Sequence, residues 1–294
     1  MGQEKADTIQ LEAFPIATKH QIYIGNSRRM TEVADESVNC VVTSPPYVTT
    51  VMEKGQAFDY QPYRSMMEDV FREIWRTMAP DGRFCLNVAD IRSKYFYEED
   101  GLYRVPISSD MLNLAHEIGF RMIDTFIWDK GFNRNFGGPL LGSYPYPATM
   151  YNNVYFEYIF ILKKPGKRRV KRSVREASKI DKATWKKYVQ RFWRVETVTE
   201  RFDGHKAVFP QEIPRRLINM YSFVDDTVLD PFFGTGTTTL AARNLGRNSI
   251  GYEINEDLVP VIRRRLGLNQ RTLFGQNAEV QIEPAAYQVR ELME

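Results

Sequence analysis

Two short stretches carry residue types suited to group-transfer chemistry. The first is Asp230-Pro-Phe-Phe-Gly-Thr-Gly-Thr-Thr238, which follows an apolar run and opens a helical pattern. Gly234 and Gly236 allow a tight turn with close backbone approach to a ligand, and the helix start offers free N–H groups. The next strand ends Gly251-Tyr-Glu253. An acid at that strand end, about 20 residues on, can accept hydrogen bonds from both ribose hydroxyls of a nucleoside. The third glycine of a dinucleotide-binding loop is absent, so an ordinary strand-to-helix turn is the competing reading. The second stretch is Thr43-Ser-Pro-Pro-Tyr47. Two prolines stiffen it and stop the preceding strand. Ser44 offers a hydroxyl acceptor, the Pro45 carbonyl is free of any ladder, and Tyr47 offers a flat face. A planar base with an exocyclic amine would fit such a set; a rigid turn with an incidental tyrosine is the alternative.

Both stretches lie at predicted strand ends. Ile22–Ile24 reads as a short strand and Val38–Thr43 as a buried parallel one. Met66, Val70, Phe71, Ile74 and Met78 have helical spacing, and Pro80-Asp-Gly82 is expected to close that helix before a strand at Arg83–Val88. A helix over Ser108–Ile118 ends at Gly119. Strands are expected at Met122–Trp128, Val154–Leu162, Thr227–Asp230 and Asn248–Tyr252. Helices are expected at Gln211–Tyr221, Thr237–Leu245 and Asn255–Leu266. Alternating strands and helices predict an α/β fold with helices on both faces of a mostly parallel sheet.

The 294 residues suffice for a large core, and 43% hydrophobic with 26% charged residues is ordinary globular usage. The net charge of +3 hides an asymmetry. Lys163–Arg194 holds 14 Lys/Arg against Glu176 and Asp181, a local +12, so the remainder carries −9. Such a strip suits polyanion binding better than a plain solvated face. Its aromatics Trp185, Tyr188, Phe192 and Trp193 could stack on bases, but Phe192 and Trp193 are expected to pack against the body. Phe136-Gly-Gly and Tyr144-Pro-Tyr-Pro147 form an aromatic loop expected to border the target pocket. Two cysteines, Cys40 and Cys85, sit in apolar runs, which excludes a disulfide framework and a cysteine zinc site; they read as small buried hydrophobes. The histidines lack metal-ligand spacing, no metal is expected, and no apolar run suits a membrane span. The polar start lacks a signal core and reads as cytoplasmic.

Together the two loops resemble those of the amino-methyltransferases that use S-adenosylmethionine. These carry an FxGxG cofactor loop and a (D/N/S)PP(Y/F) catalytic loop. The catalytic loop comes first here, as in the β-class order, and Ser-Pro-Pro-Tyr is the form of the N4-cytosine members; N6-adenine members usually have Asp or Asn at the position of Ser44. The resemblance runs from about Ile22 to Leu266. It implies a Rossmann-like methyltransferase fold: a mostly parallel seven-stranded sheet, helices on both faces, and a small basic target-recognition insert. Residues 1–20 become a lead-in, 21–162 the catalytic half, 163–203 the insert, 204–275 the cofactor half and 276–294 a tail. His205–Pro210 looks like the segment whose Phe and Pro line the methionine part of the cofactor.

The resemblance implies catalytic roles for Ser44, Pro45, Pro46 and Tyr47. It implies cofactor contacts at Asn26, Thr43, Phe209, Pro210, Asp230, Pro231, Phe232, Phe233, Gly234, Gly236, Thr237, Thr238 and Glu253. Gly25-Asn26 departs from the family's Gly-Asp, so Asn26 can hydrogen-bond but adds no charge. Lys167, Arg168, Arg169, Lys171, Arg172 and Arg175 would contact nucleic acid. The implied activity is methylation of the cytosine N4 amine in double-stranded DNA, with the base flipped out and a cognate restriction endonuclease as partner. The rivals are the same chemistry on structured RNA such as ribosomal RNA, N6-adenine methylation, and a non-catalytic nucleic-acid-binding protein.

Overall fold

Cys40, Val41 and Val42 are each fully buried, although successive strand residues point to opposite faces. Their strand therefore needs cover on both sides. The structure, a computed structural model, describes residues 17–47, 60–93, 103–131, 145–147, 156–197, 209–268 and 278–288. The first part of the chain contributes β1 (Thr18–Ile24), β2 (Val38–Thr43), α1 (Gln61–Thr77), β3 (Met78–Val88), β4 (Ile91–Ser93), β5 (Tyr103–Val105), α2 (Ile107–Ile118), β6 (Arg121–Asp129) and β7 (Phe156–Lys163). The basic segment contains α3 (Arg172–Ala177), α4 (Lys182–Tyr188) and β8 (Phe192–Arg194). Then come α5 (Glu212–Tyr221), β9 (Thr227–Asp230), α6 (Thr237–Asn244), β10 (Asn248–Glu253), a 3₁₀ turn (Glu256–Leu258), α7 (Val259–Arg265) and β11 (Ala278–Pro284).

Nine of these strands form one sheet in the order β11-β1-β10-β9-β2-β3-β7-β6-β8; β4 and β5 pair separately. In the large sheet β7 runs antiparallel to β3 and β6, and the other described pairings are parallel. The seven expected strands occupy its middle. The two additions are β8, from the basic segment, and β11, from the stretch read as a tail. β11 pairs with all of β1, and the chain beyond it caps the β1 end: the Ala285 N–H donates to the Ile24 carbonyl and the Asn26 N–H to the Tyr287 carbonyl. The lead-in likewise gives way to β1 at Thr18.

Val41, Phe84 and Leu86 face a cluster that includes Val70, Phe71 and Ile74 of α1 and Met111 and Leu114 of α2. Cys40, Val42 and Cys85 face the other side, against Ile213, Leu217 and Ile218 of α5 and Ala241 and Ala242 of α6. Helices thus cover both faces, as the continuous apolar runs require. One expected boundary moves. Pro80-Asp-Gly82 does not separate helix from strand but lies within β3, where the pairing jumps from Val38–Met78 to Cys40–Arg83. The segment is accommodated as a bulge next to a register shift.

From β2 the chain steps outward to β3, whereas from β9 it steps to β10 on the opposite side. Loops at the C-terminal ends of β2 and β9 therefore diverge and leave a crevice between them, the usual ligand position in open α/β sheets.

His20 on β1 is 1% exposed and bonds Thr18 Oγ1 at 3.0 Å and Ser249 Oγ at 2.8 Å. Burial, aided by the Arg243 charge, lowers its pKa from 6.5 to about 4. The unfolded chain therefore binds this proton first as pH falls. The neutral imidazole's contribution is complete above about pH 6.5 and drains away toward pH 4, about 3 kcal/mol in all. Denaturant titrations at several pH values should show His20→Gln losing that much less stability across this window than the wild type.

Candidate active site

Asp230 ends β9 and is 6% exposed. Its Oδ1 accepts the Thr43 hydroxyl at 2.7 Å, its Oδ2 accepts the Thr238 hydroxyl at 2.7 Å, and the Phe232 N–H lies 3.2 Å from Oδ1. Thr43 is the last residue of β2, directly before Ser44, and Thr238 belongs to the first turn of α6. One buried carboxyl thus bonds the strand bearing the Ser-Pro-Pro-Tyr loop to both sides of the Phe-Phe-Gly-Thr-Gly loop. Burial raises the Asp230 pKa and these three donors oppose the rise.

The two loops share a cleft of about 230 Å³ lined by residues that include Asn26, Ser44, Pro46, Pro231, Phe232, Gly234, Tyr252 and Glu253. Gly234 and Gly236 both have positive φ, 56° and 87°, which turns the chain into α6. Glu253, at the end of β10, holds the Gly234 N–H at 2.7 Å and the Asn255 N–H at 2.8 Å. Burial pushes its carboxyl up to about 7, with Asp230 adding to the rise against these donors. The chemistry fits an adenosyl ligand: a carboxylate for the ribose at one strand end, and an open turn at Gly234, where a Cβ would meet nothing within 4 Å.

Other expected cofactor residues stand behind the cleft instead. Thr43, Asp230 and Thr238 form the bridge just described. Phe233 points inward and packs on Gly251, where any Cβ would sit 2.0 Å from the ring. Gly236 and Thr237 form the start of α6. Phe209 packs edge-on against Trp128 at 5.9 Å and Pro210 is buried, and neither lines the described cleft. Residues 205–208 lie outside the described residues, as do Phe136-Gly-Gly and Tyr144.

Pro45 and Tyr47 line a smaller adjoining pocket that shares Ser44 and Pro46 with the cleft. Here the structure adds residues the sequence reading missed. The Tyr63 hydroxyl donates to the Pro46 carbonyl at 3.2 Å and fixes the loop from α1. The Asn87 amide donates to Ser44 Oγ at 3.2 Å and to Glu157, which also receives the Tyr47 hydroxyl and the Lys130 ammonium. A lone acid in the apolar run Phe156–Leu162 was the available signal. Cys40 and Cys85 are fully buried beneath α5 and α6, and burial raises the Cys85 thiol, so neither is a nucleophile at this pocket. No metal-ligating cluster occurs among the described residues, and no described helix is long and apolar enough to cross a membrane.

The basic segment begins at the wrong end of the sheet to flank this pocket. The Arg168 guanidinium grips the buried Asp226 carboxylate, just before β9, and Ser178 Oγ accepts the Val224 N–H. Lys167, Arg169, Lys171, Arg172 and Arg175 are exposed in this region. Because β7 is antiparallel, its C-terminal end lies away from Ser44, roughly 13 Å along the strand. The start of the basic segment, with Arg168 bound to Asp226, therefore lies toward the strand ends away from Ser44. The segment returns toward the pocket only through β8, where Trp128 Nε1 donates to the Val195 carbonyl at 2.7 Å. Trp193 packs inward, stacked on Phe126 at 4.5 Å, but Phe192 is 68% exposed. Alternation along a strand covered on one face allows only one of the pair inside.

A family model described as DNA methylase matches residues 38–264. The type II methyltransferase M.MjaI of Methanocaldococcus jannaschii is 35% identical over 292 residues, covering 88% of this chain and 94% of that protein. M.MthZI of Methanothermobacter thermautotrophicus, also a type II methyltransferase, is 34% identical over 85% of this chain and 77% of its own length. Among solved structures, a Thermus thermophilus protein complexed with S-adenosyl-L-methionine superposes with a TM-score of 0.71 at 28% identity, covering 91% of this chain and all of that one. The cytosine-N4-specific PvuII DNA methyltransferase shares the fold, with a TM-score of 0.63 at 18% identity over 90% of this chain and 92% of its own.

The Glu253 carboxylate forms as pH rises through about 7, and only that form accepts two hydroxyl donors well. Calorimetric titration with S-adenosylmethionine should show affinity rising about tenfold between roughly pH 6 and pH 8, with Glu253→Gln flattening the dependence.

Proposed function

The chain belongs to the DNA methylase family, and from that premise we propose that it methylates the exocyclic N4 amine of cytosine in double-stranded DNA, as the modification half of a restriction-modification pair. The observation that carries this reading is the shared wall. Ser44 and Pro46 border both the cleft with Glu253 and the small pocket with Tyr47. A donor in the cleft and a base presented at the mouth of the small pocket, against Tyr47, would meet at Ser44.

S-Adenosylmethionine supplies an electrophilic methyl group when bound. Glu253 and Asn26 hold its nucleoside end, and the Pro231-Phe232 wall excludes water. The amine of cytosine is a weak nucleophile because its lone pair is delocalised into the ring. Ser44 Oγ and the Pro45 carbonyl accept its two N–H groups, which favours a tetrahedral nitrogen and offsets the positive charge that develops there. Such preorganised acceptors are effective because they need no reorganisation during the reaction. Tyr47 lies against the base, which must leave the duplex to reach the pocket. Burial and Glu157 push the Tyr47 hydroxyl far up, so it stays protonated and donating. The surplus proton leaves after methyl transfer, to water or through Ser44.

Serine rather than Asp or Asn at position 44 supports cytosine over adenine. The family's relation to type II enzymes supports a duplex substrate over RNA. Basic residues of the insert add salt-dependent affinity for polyanions away from the pocket.

Incubation with tritiated S-adenosylmethionine and unmodified genomic DNA, followed by nucleoside chromatography, should place label in N4-methyldeoxycytidine. Label in N6-methyldeoxyadenosine, or in RNA alone, would refute the assignment. Ser44→Ala should reduce kcat by about 100-fold while leaving cofactor affinity within about twofold. Equal losses in both would contradict the role given to Ser44.

A further inference from the structure

Behind Ser44 and Tyr47 lies a charged residue that the transfer chemistry above does not use. Glu157 is the second residue of β7 and is 3% exposed among apolar neighbours. Three donors converge on its carboxylate from three parts of the chain: the Tyr47 hydroxyl from the catalytic loop, the Asn87 amide from β3, and the Lys130 ammonium from just beyond β6. Lys130 Nζ also lies 4.9 Å from the centre of the Trp128 ring, which holds its position. A carboxylate buried this deeply is costly to keep without such partners.

The chemistry of the donors has a directional consequence. An ionised carboxylate accepts only, whereas an asparagine has a donor end and an acceptor end whose assignment follows the hydrogen-bond network. Against Glu157, Asn87 must turn its nitrogen inward. The same nitrogen reaches Ser44 Oγ at 3.2 Å. The Asn87 oxygen is then left buried with no hydrogen-bond partner among the described residues. Asn87 lines the small pocket together with Ser44, Pro45 and Tyr47. An unpaired buried acceptor is unfavourable by itself, so this orientation is held by the two bonds that the Asn87 nitrogen makes.

We propose that Glu157 is a positioning residue of the target-base pocket: it fixes the Tyr47 ring and locks the Asn87 amide with its nitrogen turned to Ser44 Oγ, which orients the acceptor that meets the amine of the base. The inference rests on the methyl-transfer reading above and extends it to residues on β3, β6 and β7. Glu157 touches neither base nor cofactor in this arrangement; it acts through Tyr47 and Asn87.

Glu157→Gln keeps the shape but can donate, so Asn87 is free to reverse and Tyr47 loses its fixed acceptor. With unmodified genomic DNA as substrate, kcat/KM for DNA should fall at least about tenfold while the Kd for S-adenosylmethionine stays within about twofold. Tyr47→Phe should cost part of that loss, and adding it to Glu157→Gln should cost little more, because both act on one contact. The variant Lys130→Met with Glu157→Gln removes both charges together and leaves none orphaned, which guards against a failure to fold. It should remain folded and show the same loss. Recovery of wild-type turnover in that double variant, an undiminished Glu157→Gln, or fully multiplicative losses with Tyr47→Phe would each overturn the inference while leaving methyl transfer by the wild type intact. Absence of transfer to DNA by the wild type would overturn the functional reading and this inference with it.

Discussion

The Asp230 carboxyl group is where the two halves of the site are joined. It is buried, and its partners come from β2, from α6 and from its own loop. Each such bond stabilises modestly, about 1.5–3 kcal/mol when one member is charged, and breaking one strands a buried acceptor at similar cost. The geometric effect is larger than the energetic one. Thr43 directly precedes Ser44, and Thr238 belongs to the turn containing Gly234 and Gly236, so the bridge sets the spacing between the two loops. Placement at the sheet's switch point makes this possible, since β2 and β9 are neighbours although 187 residues separate the bonded side chains.

Around that bridge the motif residues divide into those that face the cleft and those that hold the facing ones. Asn26, Pro231, Phe232, Gly234 and Glu253 line it. Thr43, Asp230, Phe233 and Thr238 stand behind it. Phe233 shows why a motif can retain a bulky residue that meets no ligand. Its ring fills the space over Gly251 and anchors the loop in the cluster of Ile22, Ile24, Leu258 and Ile262. The C-terminal segment makes a comparable contribution from outside. β11 completes the sheet edge, and the chain beyond it bonds the backbone at Ile24 and Asn26, so the cleft's outer wall is braced by residues at the far end of the sequence.

Charge is arranged in two separate places for two purposes. Most of the exposed excess of the basic segment lies near the ends of the strands away from Ser44, anchored by Arg168 on Asp226. Near Ser44 the charges are few, buried and paired: Glu157 with Lys130, and the lone acids Asp230 and Glu253 held by hydroxyl and backbone donors. Low local dielectric strengthens such contacts and makes an unmatched one expensive.

Local pattern alone determined the order and type of most central elements, the two functional loops and the presence of helices on both faces. Those features are encoded within windows of a few residues: the apolar run Val38–Thr43, the Pro45-Pro46 stop, the spacing of Val70, Phe71 and Ile74, and the glycines of the Asp230 loop. Tertiary structure decided which side chains meet. Periodicity gives no hint that Glu157 finds Tyr47 across 110 positions or Asn87 across 70. Nor does it reveal that β7 reverses direction and carries the basic segment away from the pocket, or that residues 278–284 form a strand beside β1. Such pairings are set by strand order and direction, which depend on how the whole chain buries its apolar faces together rather than on any one segment of it.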